Sequence, residues 1–334
     1  MTAAVADLEA DRVGVSQVTQ RARALVSERT PAAIGLGREA GELVHEPVLL
    51  ATTVHAGLER LADPEYHEGM HGVAPGLGPT LGVRQPLLAA VSSGLREAMR
   101  QDRATTLLDV ADALLRDEIL EMHWLAYDLL ERAIVTEPER AWQRVRVEAA
   151  RAGDWITVDS LAHVAGRGIL SEPYRWAELE QLVYSPSRWE RRLVGSTIAT
   201  IPHVDGGPGR EPGVAAHALP ILADLIGDAD PDVQKSLSWA LRSMSQVDHD
   251  ATVALLRREA ATARREDDGH RAWVVRDALE KLPPDEADAL RASVAGIRKR
   301  PGAPSTSRAA ATAGAFAGLG VDVPPDTRPV VDRG

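Results

Sequence analysis

Three short stretches hold residue types that could carry chemistry: a carboxylate beside a Trp, a run of arginines, and a Lys, a Trp and an Arg. Trp155 and Asp159 are four residues apart, so on a helix they share a face, opposed to Val158, Leu161, Ala162 and Ala165, which suit a core. Arg188, Arg191 and Arg192 form the second stretch, and Lys235, Trp239 and Arg242 the third, at i, i+4, i+7 spacing. A carboxylate stabilises a developing positive charge and directs water at it. Indole faces favour a transient cation, and basic side chains grip phosphates. The bland reading of the same spacing puts Trp155 and Trp239 in the core and the arginines on a solvated face. A competing constellation, His67-Glu-Gly-Met-His71, satisfies the H-E-x-x-H zinc-peptidase pattern. Gly69 within it, and Gly72, Pro75 and Gly76 after it, argue against a helix continuing around both His, so it reads as a helix C-terminus with exposed His and no metal. The loop Gly76-Leu-Gly-Pro-Thr-Leu-Gly82 resembles a phosphate cradle superficially, but no strand precedes it and no Lys follows, so it reads as a turn. His163, His203 and His217 show no ligand spacing.

The elements that must position these residues are helices, because alternating strand patterns of useful length are absent. Residues 218–241 read as a helix, a short Asp-Pro turn and a second helix capped by Asp230 or Asp232, the pattern of a HEAT-type unit. Similar second-helix starts fall near Asp117, Asp154, Ser187, Asp232 and His270, at spacings of 37, 33, 45 and 38 residues. The expected fold class is therefore all-α, a HEAT-like superhelical solenoid of about five to six helix pairs, with the second helices lining a concave working surface. The expected domains are 1–82, an N-terminal helical segment ending in a Gly/Pro-rich joint; 83–298, the repeat domain; and 299–334, a tail whose Pro, Gly, Ser, Thr and Ala composition predicts disorder.

Composition narrows the function classes. With 334 residues the chain buries a substantial core, and 44% hydrophobic with 26% charged residues is ordinary for a soluble globular protein. The seven Trp all lie between Trp124 and Trp273, which concentrates the aromatic material in one half. The net charge of −11 repels a phosphate backbone, so a nucleic-acid role requires a local basic strip formed by Arg188, Arg191, Arg192, Lys235 and Arg242. Zero Cys excludes disulfides, thiolate metal sites and a Cys nucleophile. Residues 1–14 carry Asp7, Glu9 and Asp11 and no apolar run, unlike a secretory signal, and no stretch has the ~18 apolar residues of a membrane helix. A cytoplasmic location and no membrane partner are expected.

Asp154-Trp-Ile-Thr-Val-Asp-Ser160, Arg188-Trp-Glu-Arg-Arg192 and Val233-Gln-Lys-Ser-Leu-Ser-Trp-Ala-Leu-Arg242 resemble, in order and separation, the three signature stretches of the AlkD-like DNA alkylation repair glycosylases. The resemblance extends more weakly from Leu81-Gly-Val-Arg-Gln-Pro86 to Leu282. It implies a HEAT-like solenoid that removes positively charged N3- and N7-alkylated purines from double-stranded DNA by cleaving the N-glycosidic bond, without metal or cofactor, as a monomer. The family pattern maps onto Trp155, Asp159 and Trp239 at the reacting sugar and onto Arg192, with Lys235, Arg242, Arg188 and Arg191, at the phosphates. The sequence departs from the pattern at Asp154, where the family has an aromatic, and at Ser243, where it often has an acid; the turn at 206–213 is longer. A different class fits the same surface: a HEAT-like DNA- or protein-binding module without turnover.

Overall fold

The computed structural model describes residues 3–317 except 75 and 206, with side chains described from 19 to 315. Among the described residues the chain is all-α, with sixteen α-helices and no strand. They are α1 (Ala3–Gly41), α2 (Pro47–Leu61), α3 (Pro64–Val73), α4 (Gln85–Ala98), α5 (Ala104–Leu114), α6 (Leu120–Ala133), α7 (Pro138–Arg151) and α8 (Trp155–Ser171). There follow α9 (Arg175–Gln181), α10 (Arg188–Val204), α11 (Pro212–Leu225), α12 (Pro231–Met244), α13 (His249–Glu266), α14 (Gly269–Asp277), α15 (Pro284–Ser293) and α16 (Arg308–Ala317).

Local chemistry sets where these helices begin. Pro is the first residue of α2, α3, α7, α11, α12 and α15, where its fixed φ suits a first turn and its missing N–H costs nothing. Asp side chains cap α3, α8, α12, α13 and α14 by accepting backbone N–H groups of the first turn. At α12 the cap is Asp230, which accepts from the N–H groups of Asp232 (2.8 Å) and Val233 (3.4 Å). The expected second-helix starts correspond to α6, α8, α10, α12 and α14, within a few residues each.

By its contacts the chain divides into two compact units, residues 1–173 and 174–334. In the first, α4, α6 and α8 stack in sequence, with α5 packed on α6 and α7 on α8. In the second, α10, α12 and α14 stack side by side, and α11, α13 and α15 form a layer against them. These boundaries differ from those expected at residue 82. The N-terminal segment belongs to the first unit because α1 lies along α4 at backbone contact: a Cβ on Gly37 would stand 2.1 Å from the Val91 carbonyl oxygen, and one on Gly94 2.3 Å from that of Ile34.

The joint is itself fastened. The Glu121 carboxylate, 0% exposed on α6, accepts from the Thr80 hydroxyl (2.7 Å) and the N–H groups of Leu81 (3.1 Å), Gly82 (2.8 Å) and Val83 (3.0 Å). The loop that imitates a phosphate cradle thus cradles an anion supplied by the chain. Asp63 closes the other end through Arg84 Nε at 2.7 Å. Burial alone would raise the Asp63 carboxyl, but the Arg84 hydrogen bond and charge, with backbone N–H groups from Glu65 and Tyr66, hold it below its ordinary value.

Two expectations are corrected here. Helix α3 runs through Gly69 and Gly72 to Val73, so His67 and His71 do share one helix, ring centroids 4.8 Å apart, with His71 exposed in the last turn. Among the described residues, however, no group of three or more His, Asp or Glu is arranged to hold a metal ion. The second correction concerns the tail: residues 299–317 are ordered against the second unit, α16 resting on α11, and Ser307 is buried. Backbone bonds explain it, since Thr306 N–H donates to Gly227 O at 2.8 Å and the Ser305 hydroxyl accepts from Ala229 N–H at 2.8 Å, contacts that composition cannot reveal. Residues 318–334 lie outside the described residues.

Removing the Glu121 acceptor strands several buried donors, so Glu121→Ala is expected to lower stability by about 3 kcal/mol in urea denaturation and to expose the Leu81–Val83 amides to hydrogen exchange. The depressed Asp63 pKa means that its ionised form adds stability at neutral pH, lost as pH falls through the folded value. The stability gap between wild type and Arg84→Met should accordingly shrink below about pH 4.

Candidate functional site

The candidate residues fall on one helix of the first unit and two of the second. On α8, Val158, Leu161, Ala162 and Ala165 are fully buried, while Trp155 and Asp159 are half-buried on the other face, as the spacing predicts. Trp155 packs, with Tyr66, Trp124 and Ile156, against a cluster made by Met70, Ala74, Leu77 and Leu120. Trp124 also donates its indole N–H to the Ser160 hydroxyl at 2.7 Å, and that hydroxyl donates to Ile156 O at 2.8 Å. The residue following Asp159 is thereby tied to α6. Neither Tyr66 nor Trp124 is marked by spacing, because each reaches α8 from a separate helix.

Asp154, which departs from the family pattern, is the N-cap of α8. Its carboxylate accepts from Thr157 N–H (2.9 Å) and the Thr157 hydroxyl (2.7 Å), so its charge offsets the N-terminal end of its own helix. Behind it, Glu148 is buried with His123 Nδ1 at 3.9 Å and the Tyr127 hydroxyl at 3.5 Å. Burial pushes the Glu148 carboxyl up, against the opposing pull of His123 and Arg151. Burial also pushes the Tyr127 phenol well up, reinforced by the negative charges of Glu148 and Asp154.

In the second unit the bases divide into two kinds. Arg192 is 5% exposed, and its Nη1 donates to Asp232 O at 2.7 Å, joining α10 to the first turn of α12. Arg191 Nε meets Asp228 Oδ2 at 2.7 Å, and its Nη1 donates to Ser185 O at 2.9 Å and Pro186 O at 3.1 Å. Arg242 Nη1 lies 3.0 Å from Asp277 Oδ2 and 2.8 Å from Asp277 O. The expected strip of five bases is therefore narrower: three of them serve internal partners. Arg188, by contrast, is exposed, its guanidinium 4.5 Å above the Trp189 ring and 3.8 Å from Asp230 Oδ2. Lys235 is exposed and forms no ion pair among the described residues. Trp239 is half-buried one turn beyond it, while Leu237, Ala240 and Leu241 fill the core side of α12.

Among the described residues the fold is all-α, with a Trp–carboxylate face on α8 of the first unit and exposed bases on α10 and α12 of the second. A family model described as DNA alkylation repair enzyme matches residues 54–282, more than half of the chain, and the protein belongs to that family. The match runs from within α2 to the end of the turn after α14, and it contains every candidate residue. Membership makes this a repair enzyme with DNA as its substrate. No curated protein sequence matches the chain.

Because Arg192 is committed internally and Lys235 is not, the two should separate in urea denaturation. Arg192→Ala is expected to cost about 2 kcal/mol, and Lys235→Ala to stay within roughly 0.5 kcal/mol of wild type.

Proposed function

We propose that the protein is a DNA glycosylase that excises positively charged N3- and N7-alkylated purines, leaving an abasic site. The observation that carries this reading is the Trp155–Asp159 face of α8, half-buried, with Trp155 packed on the cluster of Met70, Ala74, Leu77 and Leu120, in a member of the alkylation repair family. An alkylated purine already bears the positive charge that makes it a good leaving group. When the C1′–N bond breaks, the base takes the bonding pair and departs neutral, and the sugar becomes cationic. Asp159 stabilises that sugar and aligns a water whose oxygen bonds to C1′ and whose proton passes to the carboxylate and on to solvent. No general acid, metal or cofactor is needed for these steps.

In this reading Trp155 on the first unit and Trp239 on the second each offer an indole face of the kind that favours a transient cation. Arg188 and Lys235 take phosphates, while Arg192 and Arg191 tie α10 to the start of α12 and Arg242 ties α12 to the end of α14. The partner is duplex DNA, met by a HEAT-like repeat surface of a monomer in the cytoplasm. The alternative is a HEAT-like DNA- or protein-binding module without turnover.

Asp159→Asn keeps the helix and removes the charge that matters most in the transition state. It should fold normally and bind DNA as tightly as wild type, while releasing N7-methylguanine about 10²-fold more slowly under single turnover. An unchanged rate would remove Asp159 from the chemistry, and a wild type that binds DNA without releasing any methylated purine would establish the binding-module alternative.

A further inference from the structure

We propose that the segment following α15 is a second DNA-backbone contact, in which Lys299 takes a phosphate. The proposal rests on the DNA-acting reading above and extends it beyond the residues matched by the family model, which end at 282.

The segment is built into the second unit. Arg276 Nη1 donates to the carbonyls of Val294 and Ile297, at 3.0 Å each, where the chain leaves α15. Gly269, at the start of α14, lies against the next residues so closely that a Cβ there would stand 2.1 Å from Arg298 O. Farther along, His270 Nε2 meets Ala303 O at 3.2 Å, and Arg271 Nη2 donates to Thr306 O at 3.2 Å. The segment thus crosses the N-terminal end of α14 and reaches the turn before α12 through the Ser305 and Thr306 bonds.

This fastening places Lys299 in a defined position. Its ammonium donates to Gln234 Oε1 at 2.6 Å and stands 4.3 Å above the Trp273 ring. Gln234 is itself oriented, its amide nitrogen 2.5 Å from Asp228 O and 3.1 Å from His270 Nδ1. Both partners of Lys299 are neutral, so its charge is positioned without being cancelled, and an ammonium with three donors keeps capacity for an acceptor.

Like charges have been brought together here. Lys299 is close enough to Arg276 and Lys235 to feel their repulsion, and Arg276 feels Arg298. Burial and that crowding push the Lys299 ammonium down, while Asp277 pulls the other way. Asp277 is already shared by Arg242 Nη1 at 3.0 Å and the Ser238 hydroxyl at 2.5 Å. Repulsion within such a cluster of cations is eased when an anion binds beside it. A polyanion with closely spaced phosphates, which the exposed Arg188 and Lys235 also address, is such an anion.

The test is binding of a labelled, undamaged DNA duplex followed by anisotropy over a range of NaCl concentrations. Lys299→Gln should reduce the slope of log K against log salt by about 0.9 and weaken binding roughly 8-fold at 0.1 M salt. Lys299→Arg should retain the wild-type slope, and Arg257→Gln, which removes an exposed charge from α13 in the other layer, should leave it unchanged. Thermal melting of each variant reports folding. An unchanged slope in Lys299→Gln, or weaker binding that merely follows a lower melting temperature, would make the segment purely structural and overturn the proposal. That outcome is distinct from a wild type that neither binds DNA nor excises bases, which would overturn the parent reading itself.

Discussion

A carboxylate with no access to water governs the first unit. Desolvating Glu121 is costly unless its lone pairs are filled, and the chain fills them with one hydroxyl and three consecutive backbone N–H groups from the loop after α3. That loop cannot lie elsewhere without stranding both the anion and its donors. Leu120 N–H also donates to Pro79 O at 3.0 Å, so the start of α6 is clamped from the same side. The clamp brings Met70, Ala74 and Leu77 against Leu120, and this cluster is the floor on which Trp155 rests. The position of the first candidate aromatic therefore follows from a buried anion far from it in sequence.

Helix α8 receives a second set of constraints from its own ends and flanks. Asp154 accepts the Thr157 N–H at the N-terminal end, and the Trp124–Ser160–Ile156 chain of hydrogen bonds fastens the second turn. With its opposite face fully buried, α8 has little freedom to rotate. In the proposed reaction a carboxylate on so fixed a helix needs little reorganisation as the sugar becomes positive.

The second unit solves an electrostatic problem. An acidic chain that meets DNA must keep some cations out of internal pairs. It does so by residue and by position: Arg191 and Arg242 are matched to Asp228 and Asp277, and Arg192 to a backbone carbonyl, whereas Lys235 stands exposed without an ion pair among the described residues, and Arg188, though 3.8 Å from Asp230 Oδ2, stays exposed on the first turn of α10. Guanidinium groups suit the first task because their planar forks satisfy several acceptors at once, and a compact ammonium suits the second. Lys299 has a third arrangement, a fixed cation held by an amide and an aromatic ring.

The sequence by itself determined the all-α class, the principal helix starts near 154, 187 and 232, and the sharing of one α8 face by Trp155 and Asp159. These are local properties: Pro at first turns, Asp caps and 3.6-residue periodicity act within a few residues of each other. The three signature stretches carried the family in the same way, each within ten residues. What only the tertiary structure decided were matters of partnership. Whether Arg191, Arg192 or Arg242 faces solvent depends on acceptors 35 to 40 positions away. The Gly-rich joint became an anion-binding loop because Glu121 arrives from another helix, and the Pro- and Ser-rich segment after α15 became ordered because Gly227, Gln234 and Gly269 receive it. Helix α3 continued through two glycines whose intrinsic cost, about 1 kcal/mol each, is offset by burial of Met70 between them. Side-chain type sets what a residue is able to pair with, but the partner is supplied by the packing of helices distant in sequence.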